Sequence, residues 1–311
     1  MSRAFVIALV IAAAIAGRML SESLIPKHKG RETVETASNQ LLGGLRAVPM
    51  LTLWGKVRDA EERGQWNEQF VLFGIISKLA PNNAAIVYYQ ARAEALDVSR
   101  QQPTRAAAWN WVQQGLDRLT SKRERLGNAS LIEEGVWDIV YNAGQRFPLQ
   151  VAMAIAVDQD SKELEEQVLA CSHLLEQAPT VDAFLETQGL TLLFDESPAY
   201  QSLSEDELRV LKLVEGARWQ ALHLAAKRGL HLRRGHSTDL AFKYLISLRR
   251  LGALSTDEQH DRSLREKAKD GLAEELARLR SLGEERRARE FGEHMNFLIG
   301  GWIRGEPEAA E

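Results

Sequence analysis

Apolar residues recur along the chain at helical spacing. Leu164, Val168, Cys171 and Leu175 follow one another at steps of four, three and four, which places them on one face of a helix. Leu264, Ala268, Leu272, Leu276, Leu279 and Leu282 form a second stripe, with Glu274, Glu275, Arg278 and Arg280 largely off it. Alternating β-branched runs are missing, and no Asn-Gly or Asp-Gly turn joins two alternating segments, so no hairpin of strands is expected. Pro49, Pro81, Pro103, Pro148, Pro179 and Pro198 punctuate the helices, each opening a first turn or stopping the helix before it. Ser204 with Glu207, and Ser255 with Glu258, have capping-box spacing. They predict helices running to about Arg228 and about Leu282. The expected fold class is all-α.

The N-terminus departs from this amphipathic pattern. Ala4 to Ala16 is an uncharged apolar run with no polar face, closed by Gly17 and Arg18. Crossing a bilayer takes roughly 20 residues, so the run suits the apolar stretch of an export signal, and Ala14-Ile15-Ala16 has the small-x-small form of a cleavage site. Counted through Leu20, with Arg3 and Arg18 snorkelling, it also suits a retained anchor. The expected organisation is a signal or membrane anchor over 1–20, a polar stalk over 21–45, helical repeats over 46–190, a helical extension over 191–304 and a disordered tail over 305–311. Arg18, Lys27, Lys29 and Arg31 behind the run pull toward the cytoplasm if it is retained. The cleavage-like residues and the single Cys favour the extracytoplasmic side.

The most specific stretch runs from Pro49 to Asn83. Gly64 ends a first helix, Trp66 packs across the turn, Phe70, Phe73, Ile76 and Leu79 form the inward stripe of a second, and Pro81 stops it. The arrangement resembles one tetratricopeptide unit of about 34 residues. A second, degenerate pair starts at Ala84, with Val87, Ala91 and Ala95 on one helix and Trp109, Val112, Leu116 and Leu119 on the next. A third starts near Ser130, with Ile132, Val136, Ile139 and Val140 inward. Over roughly 40–145, Leu42-Gly43-Gly44-Leu45-Arg46, Leu53-Trp54, Gly64-Gln65-Trp66, Ala91 to Ser99 and Trp109-Asn110-Trp111-Val112 are similar to membrane-anchored tetratricopeptide-like proteins of planctomycetes and related bacteria. Leu45 stands where an aromatic is usual, and Ala93 and Leu96 where an Ala-Trp-Asn run is common. The resemblance implies an anchored TPR-like α-solenoid and no agreed enzymatic role.

Composition narrows the function classes. The 311 residues carry a net charge of −4, which argues against a dedicated nucleic-acid binder. One cysteine forms no internal disulfide, and Cys171 lies in a helix stripe, where it reads as a small core hydrophobe. Glycine-rich phosphate loops, a His-Glu-x-x-His pair and a Gly-x-Ser-x-Gly elbow are all missing from the sequence, so it is read as non-catalytic, without cofactor or metal. His223, His231 and His236 lack ligand spacing. Lys227, Arg228, Arg233 and Arg234 are a candidate anion or lipid-headgroup site; the plainer reading is a basic helix C-terminus with Gly229 as its cap. Glu133-Glu134 and Asp195-Glu196 read as surface carboxylates near helix starts. Trp54, Trp66, Tyr88, Trp109 and Trp111 are the candidate contacts to a protein partner on a concave face. The expectation is a tethered scaffold or assembly factor at the cell envelope, attached to the membrane through its N-terminal segment.

Overall fold

The computed structural model describes residues 49–80, 83–126, 129–190, 200, 203–232 and 238–305. Among them the chain forms twelve helices and no strand, so the fold is all-α. It divides into two compact units after Pro81. The apolar run of 4–16 and the stalk lie outside the described residues, and no helix among the described residues is long and apolar enough to cross a membrane.

The first unit contains the hairpin of α1 (49–62) and α2 (Trp66–Leu79). Gly64 closes α1 with φ of 66°, in the left-handed region that glycine takes at no steric cost. The Gly64 amide donates to the Glu61 carbonyl at 2.9 Å and that of Gln65 to Ala60 at 2.8 Å. Val57, Ala60, Leu72, Phe73 and Ile76 are buried, and Trp54 meets the Phe73 ring edge-on at 5.9 Å. Phe70 and Leu79 are only half-buried; Leu72 holds the inward place instead.

The second unit begins with α3 (Ala84–Arg92), which Asn83 caps through its side chain and which continues as a π-helical turn over Ala93–Val98. Then come α4 (Arg105–Thr120), a 3₁₀ turn (Arg123–Arg125), α5 (Ala129–Ala143), α6 (Pro148–Asp158), α7 (Lys162–Gln177) and α8 (Pro179–Thr187). Thr104 and Ser161 cap α4 and α7 through their hydroxyls, and Pro148 and Pro179 open α6 and α8, as expected of the punctuating prolines. The last four helices are α9 (Glu205–Leu232), α10 (Asp239–Leu254), α11 (Glu258–Ser281) and α12 (Glu285–Arg304). Ser204 and Glu207 make the full capping box: the Ser204 amide and hydroxyl donate to the Glu207 carboxylate at 2.8 Å, and the Glu207 amide returns a bond at 3.3 Å.

One core gathers the buried faces of α3 through α9, including Val87, Ala91, Ala95, Val112, Leu116, Leu119, Ile132, Val136, Ile139 and Val140. Cys171 is buried in it, and burial pushes its thiol up to about 11. A second core joins α10, α11 and α12, with Phe291, Met295, Ile299 and Trp302 as the stripe of α12. Within the second unit consecutive helices pack on each other, while α9 packs on α5, α6, α7, α8 and α10. A stack whose repeats touch only their neighbours lacks such a helix.

Local expectations change in five places. Gly229 does not cap a helix: α9 runs on to Leu232, and Gly229 is buried inside it, where a Cβ would come within 2.8–3.0 Å of Leu240 and Glu133. Asp257, not Ser255, caps α11; its carboxylate accepts the Gln259 amide at 2.9 Å, because the Ser255 hydroxyl is taken up by Asp257 itself. Glu275 is buried, pairing with Arg278 at 2.7 Å, although it was expected to lie off the stripe. Leu282, expected within the stripe, follows the end of α11 and is exposed. Glu133 is not a surface carboxylate but has no exposed area at all.

Candidate functional site

A trough of about 800 Å³ lies in the second unit. Its floor is α6, whose Leu149, Gln150, Met153, Ala154 and Val157 share one helix face; Trp109, Gln113, Leu116, Asp117 and Thr120 of α4 and Val168, Ser172, Leu175 and Glu176 of α7 form the sides, with Asp182 of α8. Apolar side chains dominate the lining. Val157 keeps 70% of its area in solvent, a large apolar group left uncovered at the trough. The Trp109 ring leans on Phe147 at 5.7 Å, which fixes one end. The Ser172 hydroxyl donates to the Val168 carbonyl at 2.9 Å.

The charged groups of the lining are Asp117, Asp158, Glu176 and Asp182; no Lys, Arg or His is among them. Asp158 is neutralised from below. Arg123 reaches it with both terminal nitrogens at 2.9 and 2.8 Å and also pairs with buried Glu133, while Arg228 bridges Glu133 at 3.6 Å and Asp158 at 3.5 Å. Burial pushes the Glu133 carboxyl up, against the opposing pull of both arginines. This network ties the end of α6 to α5 and α9 and holds the trough floor in place. Asp117, Glu176 and Asp182 stand exposed on the rim, Glu176 beside the exposed His173 at 3.6 Å.

Three further polar clusters serve packing. Arg218, 1% exposed, donates to Glu215 at 2.9 Å and to the Tyr141 carbonyl at 2.7 Å, and the Trp219 indole donates to Glu215 at 2.7 Å. Gly144 makes room for it, since a Cβ there would stand 2.9 Å from the guanidinium Nε. Between α3, α5 and α10, Asp138 accepts the Tyr88 hydroxyl at 2.7 Å and Lys243 at 2.8 Å. Beside it Glu134 is raised to about 7 by burial, with Lys243 opposing and a hydrogen bond to Asp239 adding to the rise. His223, next to Ser247 at 3.2 Å, is lowered to about 4 by burial and by Lys227 and Lys267. Ser247 is fully buried and donates to the Tyr244 carbonyl at 2.6 Å, so this Ser–His pair is a packing contact.

The five aromatic candidates divide between the two units. Trp54 and Trp66 belong to the first unit; Tyr88 is committed to Asp138; Trp111, two positions from Trp109, falls on another face of α4 and is not part of the trough lining. Only Trp109 lines the trough. Of the basic candidates, Lys227 is exposed, Arg228 is engaged with Glu133 and Asp158, and Arg233, Arg234 and His236 lie outside the described residues, as do Asp195 and Glu196. Met153, Val157, Asp117, Glu176 and Asp182 were not singled out from the sequence. The spacing of Asp117 to Trp109 and Gln113 marks them as one helix face, but nothing local shows that α7 stands across from it. In comparisons with protein-family models, curated proteins and solved structures, no match to the chain emerged.

Proposed function

We propose that the protein is a non-catalytic interaction scaffold whose α1–α2 hairpin is of tetratricopeptide-like kind, tethered at the cell envelope through its N-terminal apolar segment with its helices on the extracytoplasmic side, and that it receives a segment of a protein partner in the α4–α6–α7 trough. The apolar floor, with Val157 uncovered and Met153 half-buried beside it, is the observation that carries this reading. Exposed apolar surface in a concavity is stabilised when a partner removes it from water, at about 25 cal/mol per Å². The Gly64-Gln65-Trp66 hairpin and the apolar run of 4–16 support the family resemblance and the tether.

Site-specific photo-crosslinking in the native cell tests the reading. A benzophenone side chain at Met153 is expected to give a discrete adduct that is missing when the same group replaces the exposed Glu293 of α12, and that disappears when Ala154→Trp fills the trough. Identical adducts from both positions, or none from Met153, would overturn it. Protease accessibility with N-terminal sequencing decides the tether and its side.

A further inference from the structure

We propose that the trough takes a cationic amphipathic helix: a partner segment with an apolar stripe flanked by Lys or Arg. The inference rests on the reading of the trough as a docking site and adds the chemistry of its occupant.

The shape points to a helical segment. The lining extends from Trp109 to Thr120 on α4 and from Leu149 to Asp158 on α6. At 1.5 Å per residue these spans are roughly 15 Å long, which is two to three turns of a docked helix. Anchors at i, i+3 or i+4, and i+7 would then seat along the floor over Ala154 and Val157.

The charge points to a basic one. Every charged side chain of the lining is a carboxylate; Asp158 is satisfied by Arg123 and Arg228, and Glu176 has only the exposed His173 beside it at 3.6 Å. Asp117, Glu176 and Asp182 are left around an apolar floor, so an acidic segment or a nucleic-acid phosphate is repelled where a lysine-flanked helix is attracted. Rim charges of this kind act mainly on partner choice and encounter rate, and salt screens them over about 10 Å at 0.1 M.

Two synthetic probes test this on the full chain: a fluorescent amphipathic peptide with a leucine stripe flanked by lysines, and its counterpart with glutamates in the lysine positions. Fluorescence anisotropy is expected to show binding of the lysine peptide alone. Neutralising the rim with Asp117→Asn, Glu176→Gln and Asp182→Asn, all at exposed positions, is expected to weaken it about tenfold, with most of the remaining salt dependence gone. Ala154→Trp should block it in a chain whose circular dichroism is unchanged. Equal binding of both peptides, with Ala154→Trp still blocking, would overturn the cationic partner and leave the docking reading standing. Lysine-peptide binding that ignores both Ala154→Trp and the rim variants would overturn the proposal as surface adsorption, and an amphipathic peptide that fails to bind at all would overturn it outright.

Discussion

Glu134 shows how burial and neighbours set one residue's part in the pH response. Its carboxyl is raised to about 7, by burial first, and Asp239 adds to the rise while Lys243 opposes it. The protonated form is therefore the one the fold prefers. Because the folded value lies above the unfolded one, stability is fully present at low pH and declines as pH rises from about 4.5 through 7. Glu134→Gln, which keeps the shape and removes the titration, is expected to flatten this decline and to stabilise the protein at pH 8 by about 1 kcal/mol, a figure discounted for partial solvent screening. Urea unfolding of both proteins at pH 5 and pH 8 checks it; an unchanged difference between the two pH values would refute the assignment.

Individual helices separate what is local from what is long-range. Gly115 of α4 faces α3 so closely that a Cβ would stand 2.6 Å from the Ala91 carbonyl oxygen and 2.8 Å from the Ala95 Cβ. Gly216 of α9 meets only the flexible end of Gln167 at 3.7 Å. The same substitution should thus act with opposite sign. Gly115→Ala is expected to destabilise by about 1–3 kcal/mol through overpacking, and Gly216→Ala to stabilise by about 0.5–1 kcal/mol through helix propensity, both read from denaturant midpoints. Helix existence was legible for the same reason that Gly216 is ordinary: proline punctuation, the Ser204–Glu207 box and apolar spacing are local signals. The burial of Glu133 was not legible: Arg123 stands near it in the sequence, but Arg228, which closes the network from α9 and donates to the Asp158 carbonyl 70 residues away, lies far along the chain. The trough is not legible for the same reason: it is a gap between three helix faces, and of its lining only the aromatic Trp109 carries a local signal.

At the scale of the whole molecule, α9 is the element on which the larger core depends. It supplies Leu211, Val214, Ala217, Trp219, Ala221, Leu222, Ala225 and Ala226 to that core and packs on α5, α6, α7 and α8. Its central amides are expected to exchange with deuterium most slowly of all, and those of the α1–α2 hairpin early, since protection follows buried contact density. Comparable protection in the two would argue against α9 as the organising helix. The placement of α9 also has a consequence for biosynthesis. A chain of strictly neighbour-contacting hairpins can settle pair by pair as it leaves the ribosome. Here the faces of α5 to α8 have no complete partner until Leu232 has emerged, roughly 5–20 s after Ala143 at ordinary translation rates. During that interval the nascent protein presents apolar surface to its surroundings, for a time set by the position of one late helix.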